Sequence, residues 1–218
     1  MRRRAVLFDW DGTLVNSSEA SYRCYVRLFG SFGIAFERAD FERTYSPDWY
    51  RTYRAVGLPE SDWKKADACW LEHYGAERAE LLPGTREALE RLRQAGRTLG
   101  IVTAGDRERV GGELRDLALA SVFSTLVGSG DTAERKPHPA SLLLALERLG
   151  VPAVDAAYVG DSPEDVQMAR AAGVYSVGIP GGFPNRQALE AAAPDALVPD
   201  LGAAVDHLLA LAGDGSSD

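Results

Sequence analysis

The chain predicts an α/β fold: a Rossmann-like parallel sheet flanked by helices, with an inserted helical cap domain. Three observations carry this. From residue 82 onward short apolar runs alternate with runs of helical period. Glycine and proline fall at the joints, as at Pro83-Gly84, Ala95-Gly96, Leu149-Gly150 and Ala172-Gly173. Residues 16–81 differ in character, holding Trp49, Trp63 and Trp70 and no convincing buried-strand run. Repeated strand–helix units imply a parallel sheet covered on both faces.

Taken in order, the first strand is the apolar run Ala5 to Phe8, and the helical insertion interrupts its connection to the next helix. Ser17-Ser18-Glu19 and Ser61-Asp62 offer side-chain oxygens that can start helices within that insertion. The alternation then places helices over 84–94, 106–117, 139–149, 163–171, 186–193 and 201–211. Strands fall over 97–103, 122–128, 155–160 and 174–179, with a weak one at 196–198. Residues 1–15 and 82–218 form the expected core domain and 16–81 the expected cap. The small polar tail Gly213 to Asp218 is expected to fray.

A chain of 218 residues can bury a real core as one domain with an insertion or as two modest domains. Its 45% hydrophobic and 26% charged content argues against disorder and against a membrane span. The formal charge of -8 repels polyphosphate backbones, so nucleic acid is an unfavourable partner, and a phosphate substrate needs local positive charge. Met1-Arg2-Arg3-Arg4 is followed by too short an apolar stretch for an export signal, because Asp9 and Asp11 interrupt it. Cys24 and Cys69 have no metal-ligand spacing and read as small hydrophobes, which suits a reduced, cytoplasmic setting.

Four segments carry residues suited to phosphate chemistry, each beside an apolar run or a helix start. In an open parallel sheet the carboxyl ends of the strands line one crevice, so scattered residues converge there. Asp9 and Asp11 follow the first strand; one can attack phosphorus while the other gives a proton to the leaving oxygen and later takes one from water. Gly12 suits the sharp turn that follows. Asp161 and Asp165 follow the strand over 155–160 and, with Asp9, supply hard oxygens suited to Mg²⁺. Ser162 or Asp161 can also cap the helix that begins at Pro163. Thr103 can donate to a phosphoryl oxygen, with the amides of Ala104 and Gly105 as further donors, and Lys136 supplies a point charge. His138 reads as a loop or substrate-adjacent residue, and His73 and His207 as surface or cap packing.

In that order, Asp9-Trp10-Asp11-Gly12-Thr13-Leu14-Val15, Thr103, Lys136-Pro137 and Gly160-Asp161-Ser162-Pro163-Glu164-Asp165 resemble the four motifs of the haloacid dehalogenase-like hydrolase superfamily. The insertion after the first motif is similar to the cap of its phosphoglycolate phosphatase and β-phosphoglucomutase branch. The resemblance implies that Asp9 is the nucleophile and Asp11 the general acid and base. It implies a Mg²⁺ ion held by Asp9, the Asp11 carbonyl and Asp161, with Asp165 supporting it or ligating through water. Thr103 and Lys136 would bind the phosphoryl group.

Dehalogenases of the superfamily lack an aspartate at the place of Asp11, so the resemblance points to a phosphatase acting on a small phosphorylated metabolite. Two positions depart from the pattern. Ala104-Gly105 stands where relatives often place asparagine or serine, and Asn16 where aspartate is common; the latter bears on the cap hinge. Substrate choice falls to the cap, where Arg23, Arg27, Arg43, Arg51 and Arg54, with Tyr45, Trp49 and Tyr50, offer contacts. Glycolate phosphate, a hexose phosphate and pyrophosphate all remain open. A mutase using the same phospho-aspartate is the nearest rival, and a non-catalytic phosphate-responsive regulator a more distant one. A monomer or homodimer is expected.

Overall fold

The computed structural model describes residues 3–211; the expected fraying of Gly213 to Asp218 lies outside the described residues. Strands β1 (Ala5–Phe8), β2 (Thr98–Asp106), β3 (Thr125–Ser129), β4 (Ala156–Gly160), β5 (Tyr175–Gly178) and β6 (Ala196–Leu197) form one sheet in the order β3-β2-β1-β4-β5-β6. Every neighbouring pair is parallel. The order reverses direction at β1 and β4, the switch point at which such sheets open a crevice at their carboxyl ends.

The period of two along a strand explains the layers. In β1, Val6 and Phe8 join the cluster built with α5 (Thr85–Gln94), α6 (Arg107–Asp116) and α10 (Leu201–Ala210). Ala5 and Leu7 point the other way, into the cluster of α7 (Ala140–Leu149) and α8 (Pro163–Ala171). All four residues are wholly buried, which is why this strand reads as a continuous apolar run instead of an alternating one. Burying side chains such as Leu7 and Phe8 contributes roughly 1.5–3 kcal/mol each. The short α9 (Arg186–Ala191) precedes β6.

Between β1 and α5 the chain forms α1 (Ser18–Ser31), α2 (Arg38–Thr44), α3 (Trp49–Ala55) and α4 (Trp63–Tyr74). These helices enclose an aromatic cluster of their own, including Tyr25, Phe29, Phe36, Phe41 and Tyr53, into which Phe183 reaches from the loop after β5. The two crossings to the sheet run side by side: Val15 bridges Leu81 in antiparallel sense, Asn16 donates its amide to the Glu80 carbonyl at 2.8 Å, and Leu82 donates to Leu14 at 2.9 Å.

Several local expectations are corrected. Neither the Ser17 nor the Asp62 side chain caps its helix; the clear cap of this region is a capping box at α2, between Glu37 and Asp40. Strand β2 continues to Asp106, past the expected end at Thr103, because its register with β3 shifts between Val102 and Asp106 and Thr103 to Gly105 form the irregular stretch. Asp106 then caps α6 by accepting from the Arg109 amide at 2.9 Å. Strand β3 starts only at Thr125, since Val122 and Phe123 pack on the core from a turn.

His73 lies on α4, and the exposed His138 accepts from the Ala140 amide. His207 belongs to the core side, stacked on Tyr175. Both cysteines are free, and burial pushes the Cys24 thiol up to about 11. No described helix is long and apolar enough to cross a membrane.

Candidate active site

The carboxyl edge of the sheet gathers the residues that the sequence scatters. Asp9 leaves the end of β1, Thr103 sits in the irregular part of β2, Lys136 precedes α7 through a cis peptide bond to Pro137, and Asp161 and Asp165 follow β4. At the centre is the Lys136 ammonium, buried and donating to Asp9 Oδ1 at 2.9 Å, Asp165 Oδ1 at 2.7 Å and the Tyr158 hydroxyl at 2.8 Å. Burial pulls its pKa down, but the carboxylates of Asp165 and Asp9 outweigh that and raise it, so the lysine stays charged.

Asp165 is fully engaged. Its Oδ1 accepts from Lys136, with the Tyr158 hydroxyl 3.2 Å away, and its Oδ2 accepts from the amide and hydroxyl of Ser162. Ser162 in turn caps α8 by accepting from the Asp165 amide at 3.2 Å, a reciprocal capping box with Pro163 opening the helix. Helix capping thus fixes the carboxylate that fixes Lys136. Tyr158 anchors the group further, donating to the Val102 carbonyl at 2.6 Å.

Asp161 is the unsatisfied member. Its Oδ2 is buried and has no hydrogen-bond partner. Burial and the neighbouring carboxylates of Asp9 and Asp165 hold its pKa well above the usual range. Asp9 rises to about 6, chiefly through burial and against the lowering effect of Lys136. Oxygens of Asp9, Asp161 and Asp165 lie within 4.8 Å of one another. One ammonium therefore faces three buried carboxylates. An all-oxygen donor set with excess negative charge and an orphaned carboxylate oxygen fits a hard divalent cation such as Mg²⁺. Gly12, at φ +79°, keeps this place open: a Cβ there would run into the Asp161 carboxylate and the Phe183 ring.

Asp11 turns toward a different partner. Both its oxygens accept from the Arg109 guanidinium, which also donates to Glu113 Oε1 at 2.9 Å and lies over the Tyr74 ring, 4.6 Å from its centroid. Glu113 accepts from the buried Trp10 indole. Arg109 went unnoticed in the sequence because it stands among the ordinary charges of a surface-like helix; only the fold turns it inward. Thr103 accepts from the Gly105 amide at 3.0 Å, leaving its own hydroxyl proton to donate. The Gly105 amide expected to face the substrate is therefore committed to Thr103. Gly105 instead makes room, since a Cβ would strike the Arg109 guanidinium.

Asp9, Asp11, Thr103, Ala104, Gly105 and Asp161 all line one cavity of about 240 Å³. Its far wall comes from the helical insertion and includes Tyr25, Tyr45, Trp49, Tyr53 and Trp70. Besides the Arg109 contact with Tyr74, several contacts join this wall to the sheet side. Tyr45 stacks on Phe183 with ring centroids 4.3 Å apart, Arg51 approaches Glu164 at 3.5 Å, and Arg135 lies over Trp49 and Tyr50. Of the arginines named from sequence, Arg23 and Arg27 pair with Glu77, Arg43 with Asp40 and Arg54 with Glu60, all away from the cavity lining.

A parallel α/β sheet with an acidic, lysine-centred crevice at its switch point defines a class of enzymes that activate substrates with carboxylates, and comparison with known proteins narrows it. A family model described as haloacid dehalogenase-like hydrolase matches residues 6–179, and the chain belongs to that family. It is a hydrolase, similar over most of its length to proteins named phosphoglycolate phosphatase. The one from Xanthomonas campestris pv. campestris is 35% identical over 186 residues, 83% of this chain and 84% of the relative. The one from Escherichia coli K12 is 31% identical, covering 89% of this chain and 88% of the relative. A crystal structure of a putative phosphoglycolate phosphatase from Lactobacillus plantarum superposes with a TM-score of 0.87 at 25% identity, covering 94% of this chain and 99% of that one.

Proposed function

We propose that the chain is a Mg²⁺-dependent phosphatase that hydrolyses a small phosphorylated metabolite through a phosphorylated Asp9, with residues 16–81 acting as its cap. The observation that carries this is the Asp9, Lys136, Asp161 and Asp165 cluster, in which a lysine anchored by a helix cap touches the one carboxylate placed directly after β1. Phosphoglycolate, the substrate in the relatives' names, leads the candidates.

Asp9 attacks phosphorus in line, forming the Asp9 oxygen–phosphorus bond as the ester oxygen–phosphorus bond breaks. Asp11 gives its proton to the departing alkoxide. Water then attacks the same phosphorus, Asp11 takes the water's proton, and Asp9 leaves as a carboxylate with inorganic phosphate released. Lys136 and the Thr103 hydroxyl hold the equatorial phosphoryl oxygens. Asp9 and Asp161, with the Asp11 carbonyl, would hold Mg²⁺, while Asp165 keeps Lys136 in place. The ion supplies neutralisation of phosphoryl charge. Arg109 must loosen its hold on Asp11 as the acid engages the leaving oxygen, and closure of the aromatic wall excludes water.

Phosphate release from a panel of phosphomonoesters, measured with Mg²⁺ and with chelator and without any bisphosphate activator, tests the reading. Turnover only with Mg²⁺ is expected. Turnover that survives chelation, or that occurs only as isomerisation with added bisphosphate, refutes it.

A further inference from the structure

Resting on the phosphatase reading, we propose that Arg135 is the specificity-determining residue that recognises a second anionic group, carboxylate or phosphate, on the alcohol that leaves. Arg135 directly precedes Lys136 in sequence but serves a different space. Lys136 turns inward to Asp9, whereas Arg135 lines both the 240 Å³ cavity and an adjoining one of about 170 Å³. An alcohol displaced in line from phosphorus departs away from Asp9, toward the cavity side of the site.

The Arg135 guanidinium is placed but not neutralised. It lies 4.2 Å from the Trp49 ring centroid and 4.3 Å from that of Tyr50. Among the described residues no carboxylate lies within ion-pairing distance of it, whereas Arg109, the other arginine lining the larger cavity, pairs with Asp11 and Glu113. One guanidinium donor meets the Tyr50 hydroxyl, and stacking on the aromatic faces leaves the other edge donors to a planar or tetrahedral anion.

The platform beneath it is fixed. Asp67 accepts from the Trp49 indole at 2.8 Å, the Tyr50 hydroxyl at 2.8 Å and the Tyr53 hydroxyl at 3.2 Å. That carboxylate also lines the larger cavity, but its charge is engaged by three donors, two of them on the rings that support Arg135. In a chain of net charge -8, a substrate carrying charge beyond its phosphoryl group needs such a cation without a carboxylate partner. Because the rings belong to the helical insertion and Arg135 to the sheet side, the site is complete only when both walls meet.

The test is steady-state phosphate release by the full chain with Mg²⁺ on three substrates. 2-Phosphoglycolate carries a carboxylate, ethylene glycol bisphosphate a second phosphate, and ethyl phosphate neither. In R135A the ratio of kcat/KM for the preferred anionic substrate over ethyl phosphate is expected to fall roughly 10- to 100-fold, the range for losing hydrogen bonds to a charged group, and to fall through KM. R135K, which keeps charge but not the planar fork, is expected between R135A and wild type. The anionic substrate whose ratio falls identifies the source of the charge.

Arg51→Ala, which removes a contact between the walls outside the cavity lining, controls for closure and is expected to move all three substrates together. If R135A does the same, Arg135 only holds the walls together and the proposal is overturned. If wild type hydrolyses these esters and R135A keeps its anionic preference, this proposal alone is overturned. If wild type hydrolyses no phosphomonoester, the phosphatase reading fails and takes this one with it.

Discussion

Replacing Asp9 with asparagine is expected to abolish turnover yet make the metal-free protein more stable at neutral pH. Asp9 is 8% exposed and its carboxyl rises from 3.8 to about 6, mainly because burial penalises the charged form. At about 1.4 kcal/mol per tenfold in proton affinity, ionised Asp9 costs the metal-free native state on the order of 3 kcal/mol above pH 6. The sign follows from proton counting. Between pH 4 and 6 the native state binds more protons at this site than the unfolded chain does, so stability falls as pH rises through that window.

Asparagine has nearly the same shape, carries no charge and still offers an oxygen to the Lys136 ammonium, which retains Asp165 as its ion-pair partner. Allowing for the weakened Lys136 contact, D9N should gain about 1–3 kcal/mol at pH 7.5 in chelator, or roughly 2–12 °C in Tm for a chain of this length. At pH 4 the two proteins should converge. Mg²⁺ at a hundredfold excess over Kd should add about 2.7 kcal/mol to wild type and much less to D9N. Urea denaturation at both pH values, with and without Mg²⁺, alongside phosphate release, reads all of this. A D9N protein that is less stable than wild type in chelator at pH 7.5, or that gains as much from Mg²⁺, would refute the reasoning.

K136M leaves Asp9 and Asp165 buried without their cation and should cost about 3–5 kcal/mol at neutral pH by urea denaturation, less below about pH 6 where Asp9 takes up a proton, with turnover lost. G12A should cost about 1–3 kcal/mol, because alanine is strained at φ +79° and its methyl meets the Asp161 carboxylate; isothermal titration should also show weakened Mg²⁺ binding, and an unchanged affinity would contradict the assigned crowding. With its thiol at about 11 and its side chain buried, Cys24 should react with a thiol reagent only as fast as the protein opens, well behind the half-buried Cys69 in mass-spectrometric labelling.

The strand–helix alternation, the parallel sheet and the four segments that meet at the candidate site were legible in the chain itself. Buried parallel strands must be continuous apolar runs, and their ends must break with glycine, aspartate or proline; β1, β4 and the Gly160-Asp161-Ser162-Pro163 turn show this directly. Residues whose role depends on what lies across space were not legible. Nothing in the sequence marks Tyr158, Arg109 or Arg135; the sheet brings the Tyr158 hydroxyl to Lys136, Asp11 meets Arg109, and the aromatic wall meets Arg135. The helices after Ser17 and Asp62 start where the sequence places them, but neither side chain makes the expected capping bond, because a cap residue only offers an oxygen and packing decides where that oxygen points. Sequence determines periodicity and backbone permission, which are local properties. Charge pairing, orphaned oxygens and cavity walls depend on distances between segments far apart in the chain, 127 residues for Lys136 and Asp9, and only tertiary packing sets those distances.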